Sequence, residues 1–280
     1  MQNNQIIAVW GPFGSTGKST LAINIACELA AAAKSVVLID LDVFAPSLAQ
    51  HLGLTQHPAG LAAACRLINQ GRFDLLQLER LSARVQVAKS SICVMTGLTN
   101  PERWPEVYPE AVEDLLKLAS ENFDYVVLDL ASPIESGMRS SSSGVERNAA
   151  TVAALKAANS VVRVIAADPI SIERYLKALP QISQLRAGTE DPTLVNRLRK
   201  SVLGANAKQE IIDTLERLAN VTVSAFIPDD QSAADQALLD SKPIALGRRA
   251  SPAKQAIATF TRNHILGQRA QLDRRVAKLG

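Results

Sequence analysis

The sequence predicts an α/β fold: a doubly wound, mostly parallel sheet with helices on both faces. Three observations carry that expectation. Short apolar runs of strand length recur along the chain, among them IIAVW, VVLI and YVVL. Segments with helical apolar spacing separate them almost throughout, the pattern of parallel strands joined by crossover helices. A glycine-rich bend, GPFGSTGKST at 11–20, joins the first run to the first helical segment.

The elements follow in order. QIIAVW at 5–10 is a continuous apolar run ending at Gly11, which reads as a buried strand. KSTLAINIACELAAAA at 18–33 is alanine-rich and reads as the first helix. A second strand spans 35–39 and ends at Asp40, and 46–54 reads as a short helix. Residues 85–95 hold a third strand whose core is 92–95. A helix over 109–121 places Leu115, Leu116 and Leu118 on its apolar side, and a fourth strand over 125–128 ends at Asp129. The stretch 132–144, with its run RSSSSG, has the composition of a mobile loop. Helix at 146–158, strand at 160–166, helix at 171–185 and strands at 193–198 and 222–226 complete the pattern. No internal repeat or linker breaks it, so one domain over 1–266 is expected, followed by a basic tail over 267–280.

Composition narrows the function classes. With 280 residues and 47% hydrophobic content, the chain can bury one large core. A net charge of +3 is too mild to mark a nucleic-acid binder, and 4% aromatic residues leave few stacking platforms. Nucleic acid is therefore not an expected partner. Cys27, Cys65 and Cys93 are scattered without a CxxC pair, which fits a reducing compartment. No apolar run reaches the roughly 18 residues of a membrane span, and 2–10 lacks the basic start of a secretory signal. A cytoplasmic protein is expected.

The bend at 11–20 matches a Walker A loop in its decisive half, Gly17-Lys18-Ser19. Backbone amides can surround a phosphate only where small residues let the chain approach closely. Gly14, Ser15, Thr16 and Gly17 supply that, and Thr20 follows in the first helical turn. Lys18 would contact the β- and γ-phosphates, and the Ser19 hydroxyl would coordinate Mg²⁺. The strict spacing asks for glycine at position 12, where this chain has Pro12.

Two further strand ends carry carboxylates. VVLIDLD places Asp40 and Asp42 two apart, so they point the same way if the strand continues. YVVLDLASP places Asp129 directly after an apolar strand, as in a Walker B motif. Beside a P-loop, such aspartates hold Mg²⁺ or position water; each also fits a plain turn or helix cap. The expected metal set is Ser19, Asp40 and Asp129, and the expected catalytic set is Lys18, Asp40 and Asp42.

In this order and spacing, the three motifs resemble the MinD/ParA family of P-loop ATPases. VVLIDLDVFAPSLAQHLGL is similar to its switch I segment, and DLASP to its Walker B and switch II entry. LVNRLRK resembles its strand ending in an adenine-contacting asparagine, here Asn196. FIPDD resembles the segment that packs on the base, here Ile227, Pro228 and Asp229. Within the family, VWGPFGSTGKST and GLTNPERWPE look most like actinobacterial CpaE/TadZ-like pilus-assembly proteins and septum-site-determining proteins. The resemblance implies ATP or ADP with Mg²⁺ as ligands and a homodimer with ATP sandwiched between the subunits. It also implies pilus-assembly or septum-placement proteins as partners, with recruitment to a membrane or cell pole. The family's signature lysine falls at position 13, where this chain has Phe13, so hydrolysis is expected to be slow or absent. Arg103 and Arg139 are candidate substitutes. Arg139, Arg147 and Arg163 lie where the family places regulatory contacts, and solvent-facing charge is the plain alternative for each.

The end of the chain is basic. Lys254, Arg262, Arg269, Arg274, Arg275 and Lys278 face one acid, Asp273, across 251–280. Such a segment can contact an anionic membrane peripherally, as MinD-like proteins do. Here Gly267 interrupts it and its apolar face is thin. A last helix packing on the sheet to about Leu266, then a solvated end, is the favoured expectation.

Overall fold

The computed structural model describes residues 4–135, 146–199, 204, 206–247 and 250–267. Eight strands form one sheet: β1 (Gln5–Trp10), β2 (Val36–Leu41), β3 (Ala83–Val87), β4 (Ser90–Met95), β5 (Tyr125–Leu130), β6 (Ser160–Ala166), β7 (Thr193–Leu198) and β8 (Val223–Pro228). Their order in space is β3-β4-β2-β5-β1-β6-β7-β8. Neighbours are parallel except β3 and β4. The helices are α1 (Lys18–Ala31), α2 (Leu48–His51), α3 (Gly60–Asn69), α4 (Leu75–Leu81), α5 (Pro109–Asn122), α6 (Ala149–Ala157), α7 (Pro169–Leu185), α8 (Ala207–Ala219), α9 (Gln231–Asp240) and α10 (Pro252–Phe260). The doubly wound α/β expectation holds. Among the described residues, no helix is long and apolar enough to cross a membrane.

β2 and β5 are buried along their whole length, as strands covered on both faces must be. The period-two alternation divides their side chains between two cores. Ile6, Ala8, Trp10, Val37, Ile39, Val126 and Leu128 fill one. Ile7, Val9, Val36, Leu38, Tyr125 and Val127 fill the other, together with the apolar residues of α1. Counting on by twos puts Asp40 and Asp129 on the α1 face. The register sets them opposite each other at the carboxyl ends of β2 and β5.

The structure corrects one strand. Residues 85–95 are not a single strand but the antiparallel hairpin β3–β4, pairing Val87 with Ser90. Ala88 makes the turn at φ 51°, a conformation that Gly or Asn would have advertised and Ala does not. Among the described residues, four helices add to those expected: α3, α4, α8 and α9. At the end of the chain, α10 packs Ala253, Ile257 and Phe260 into the α1-side core and continues in a wider turn over Thr261–Ile265. Residues 268–280, most of the expected tail, lie outside the described residues, as does 136–145 of the serine-rich loop.

Candidate phosphate-binding site

Residues 11–17 carry the chain from β1 into α1, and each glycine there has a separate steric reason. At Gly11 a Cβ would lie 2.3 Å from the carbonyl oxygen of Val164. Gly14 and Gly17 adopt φ 112° and 90°, the left-handed region where side chains strain the backbone. Gly17 caps α1 without any side-chain acceptor for the first-turn amides. Those N–H groups and the helix dipole therefore face a cavity suited to an anion.

The cavity has a volume of about 440 Å³. Residues 13–20 form its floor, and Asp42, Phe44, Ala45, Ser47 and His51 form one wall. Ser132, Pro133, Arg197, Ala234, Ala237, Leu238 and Ile244 complete the lining. Lys18 reaches across the floor, its Nζ donating to Ser132 Oγ at 2.7 Å. Trp10 Nε1 donates to the Ser132 carbonyl at 3.1 Å, which fixes Ser132 against the end of β1.

Asp129 is fully buried, and neither carboxylate oxygen has a hydrogen-bond partner. Burial pushes its pKa up to about 7; the nearby Ser19 hydroxyl and Lys18 ammonium oppose that rise, and Asp42 adds to it. Ser19 stands close enough to favour the charged carboxylate, yet outside hydrogen-bond geometry. A buried carboxylate without donors is costly unless something cationic completes it. Mg²⁺ fits this site: it is a hard ion, and P-loop proteins hold it with one hydroxyl, an acidic side chain and phosphate oxygens. Among the described residues, no group of three or more His, Cys, Asp or Glu side chains assembles a cage that would hold a metal alone.

Asp40 has a different setting. Its Oδ2 accepts from the amides of Ser47 and Leu48, each at 3.0 Å, and its Oδ1 from that of Asp42 at 3.2 Å. Burial and the charge of Asp129 raise its pKa well above the usual carboxylate range. Neither Asp40 nor Asp129 is among the cavity's lining residues. Asp42 is, and its Oδ1 also accepts from Phe44 N (2.9 Å) and Ala45 N (2.8 Å), which shapes the 42–48 loop.

Asn196 ends the buried part of β7 and donates from Nδ2 to the Thr16 carbonyl at 2.8 Å. It thus ties the cradle to the sheet and, like Pro228 and Asp229, is not among the cavity's lining residues. The Asp229 amide bonds Leu198 O at 3.0 Å, and its carboxylate lies 3.8 Å from Arg199. Arg197, next in sequence to Asn196, takes φ 56° at a register shift in β7 and lines the cavity instead. Sequence reasoning missed Arg197 and Ser132, although both adjoin residues it singled out.

The arginines divide by role. Arg103 is held by Glu106 in a two-pronged pair at 2.5 and 2.7 Å and is not among the cavity's lining residues. Arg147 stacks on Phe44, 4.2 Å from the ring centre, and donates to Val43 O at 3.0 Å. Arg163 donates to the Asp191 carbonyl away from the cavity. Arg139 lies outside the described residues.

Comparison with known proteins agrees with this geometry. The model of the CobQ/CobB/MinD/ParA nucleotide-binding domain matches residues 7–244. A septum site-determining protein MinD from Synechocystis is 26% identical over 232 residues, covering 81% of this chain and 77% of the relative. A ParA family ATPase from Chlorobium tepidum superposes with a TM-score of 0.73 at 18% identity, covering 94% of this chain and all of that one. The septum site-determining protein MinD of Pyrococcus horikoshii, solved with Mg-ADP, superposes with a TM-score of 0.71 at 18% identity over 94% of this chain and 97% of its own. The likeness to the solved structures establishes the shared fold, and the domain match establishes the lineage. The chain belongs to the MinD/ParA family of P-loop ATPases.

Proposed function

We propose that this chain binds Mg-ATP in the cavity between α1 and the ends of β2 and β5, hydrolyses it slowly, and dimerises face to face around it. The output of that cycle is the placement of a partner machine, either a pilus or secretion assembly or a division septum. One observation carries the binding reading: a buried Asp129 without hydrogen-bond partners stands under an amide-lined bend beside Ser19 and Lys18. Septum-determining relatives support the placement role.

In this reading the amides of 14–20 hold the phosphates, and Lys18 leaves Ser132 to neutralise the β- and γ-phosphates. Ser19 and Asp129 hold the metal. Magnesium bound there supplies charge that offsets what develops on the transferring phosphoryl group. Asp42, at the cavity wall, positions water, and Asp40 keeps the 42–48 loop in place. Asn196, Pro228 and Asp229 frame the base region from the β7–β8 side. The loop around Asp42 and the 134–144 segment respond to the γ-phosphate. Peripheral membrane contact, if present, belongs to the 267–280 tail.

Phe13 favours a second reading, a nucleotide-binding scaffold with little turnover. Calorimetry with Mg-ATP and Mg-ADP, paired with a turnover assay, separates the two. Binding with turnover that Lys18→Ala abolishes supports the ATPase. Binding without turnover in the wild type supports the scaffold. No heat of association with either nucleotide would sink both.

A further inference from the structure

Position 13 carries no positive charge, and an arginine on α7 contacts its backbone. Phe13 stands at the mouth of the cavity with 54% of its surface exposed. Its carbonyl accepts from Arg174 Nη1 at 3.1 Å. The same Nη1 lies 2.3 Å from where a Cβ on Gly14 would sit, so the bare glycine makes room for the guanidinium. The helix that carries Arg174 is anchored at its start. Asp168 caps it by accepting from Ser171 N at 2.9 Å, and Ser171 Oγ accepts from Ala166 N at 2.9 Å at the end of β6. The neighbouring carboxylate, Glu173, is engaged by Lys177 at 2.6 Å. Among the described residues, no carboxylate forms an ion pair with Arg174, whose charge acts only weakly on Glu173.

The peptide between Phe13 and Gly14 links this contact to the phosphate site. In a trans peptide, the carbonyl of one residue and the N–H of the next point in opposite directions. Arg174 itself is not among the cavity's lining residues; with the Phe13 oxygen engaged by its guanidinium, the Gly14 N–H points the opposite way, and Gly14 lines the cavity. A guanidinium keeps its charge at any working pH and has five donors, of which this bond uses one.

We propose that Arg174 is a positioning residue for the phosphate cradle, supplying in cis the positive charge that Phe13 lacks and turning the Gly14 amide toward the anion. The inference rests on the nucleotide-binding reading above. It is tested by calorimetry with Mg-ATP on the wild type, Arg174→Ala, Arg174→Lys and the double variant Phe13→Lys/Arg174→Ala, each with a urea-unfolding midpoint. Arg174→Ala is expected to weaken Mg-ATP binding about tenfold and to flatten its salt dependence, with the midpoint unchanged. Arg174→Lys is expected to keep most of the affinity, and Phe13→Lys to restore it in the double variant. Wild-type affinity in Arg174→Ala overturns the inference and leaves the nucleotide reading standing. A loss that neither lysine variant recovers overturns the charge role. A wild type that binds no nucleotide overturns the function and this inference together.

Discussion

Asp40 and Asp129 stand opposite each other in register at the ends of β2 and β5, both at most 1% exposed. Their strands read almost identically, VVLIDL and YVVLDL. Yet the oxygens of Asp40 take three backbone amides from the loop that follows it, and those of Asp129 take none. The β2 end uses its carboxylate to fold its own loop, whereas the β5 end takes no backbone amide and has the Ser19 hydroxyl and Lys18 ammonium nearby. Burial raises the pKa of both, and their mutual repulsion adds to it at Asp40. Two aspartates that look alike in sequence thus divide into one satisfied by its own loop and one that, in the proposed function, waits for a ligand. What divides them is the local supply of donors.

The largest effect that tests this division is at Asp40. Asp40→Ala would leave three amides, two of them buried, without an acceptor, and should destabilise the fold by roughly 3 kcal/mol or more in urea unfolding. Wild-type stability in that variant would break the comparison. Asp129→Asn should act in the opposite direction. The folded pKa of Asp129, about 7, lies above the ordinary aspartate value of 3.8, so the folded protein holds a proton that the unfolded chain releases. Stability without ligand therefore falls as pH rises between those values, and the penalty is complete above them. The asparagine variant should flatten that fall and be more stable at pH 8 by on the order of 1–3 kcal/mol, while losing magnesium-dependent nucleotide binding. A variant whose stability profile tracks the wild type would show that Asp129 has a partner after all.

How far the sequence revealed these features depends on where the donors come from. The cradle was readable because glycine, lysine and serine at fixed spacing have few other uses, and Asp129 because an apolar strand preceded it. The alternation of apolar runs likewise gave the sheet. The separate settings of Asp40 and Asp129 were not readable, since the amides of Ser47 and Leu48 reach Asp40 only once the loop has closed. Arg174 was hidden for a similar reason: nothing in the composition of α7 links it to a carbonyl 161 residues away. α9 buries no residue and leaves Leu238 and Leu239 exposed, so it carries no apolar stripe to announce a helix. α8 did carry one, with Ala207, Ile211 and Leu215 at helical spacing. Its sequence carries no motif beyond that stripe.

Asn196 offers the smallest and sharpest test. Like Asp40, it is buried and satisfied, donating to Thr16 O at 2.8 Å, with Gly17 leaving space for its Nδ2. If it behaves as a scaffold part, Asn196→Ala should cost about 1 kcal/mol of stability and weaken ATP and GTP binding by a similar small factor, because only the cradle has loosened. If it reads the base, as the family resemblance implies, the same variant should weaken ATP selectively and narrow the preference for ATP over GTP. Competition of the two nucleotides for the wild type and the variant decides between them. An unselective loss would place Asn196 with Asp40. A selective loss would place it with Asp129, as a group whose full partner set includes the ligand.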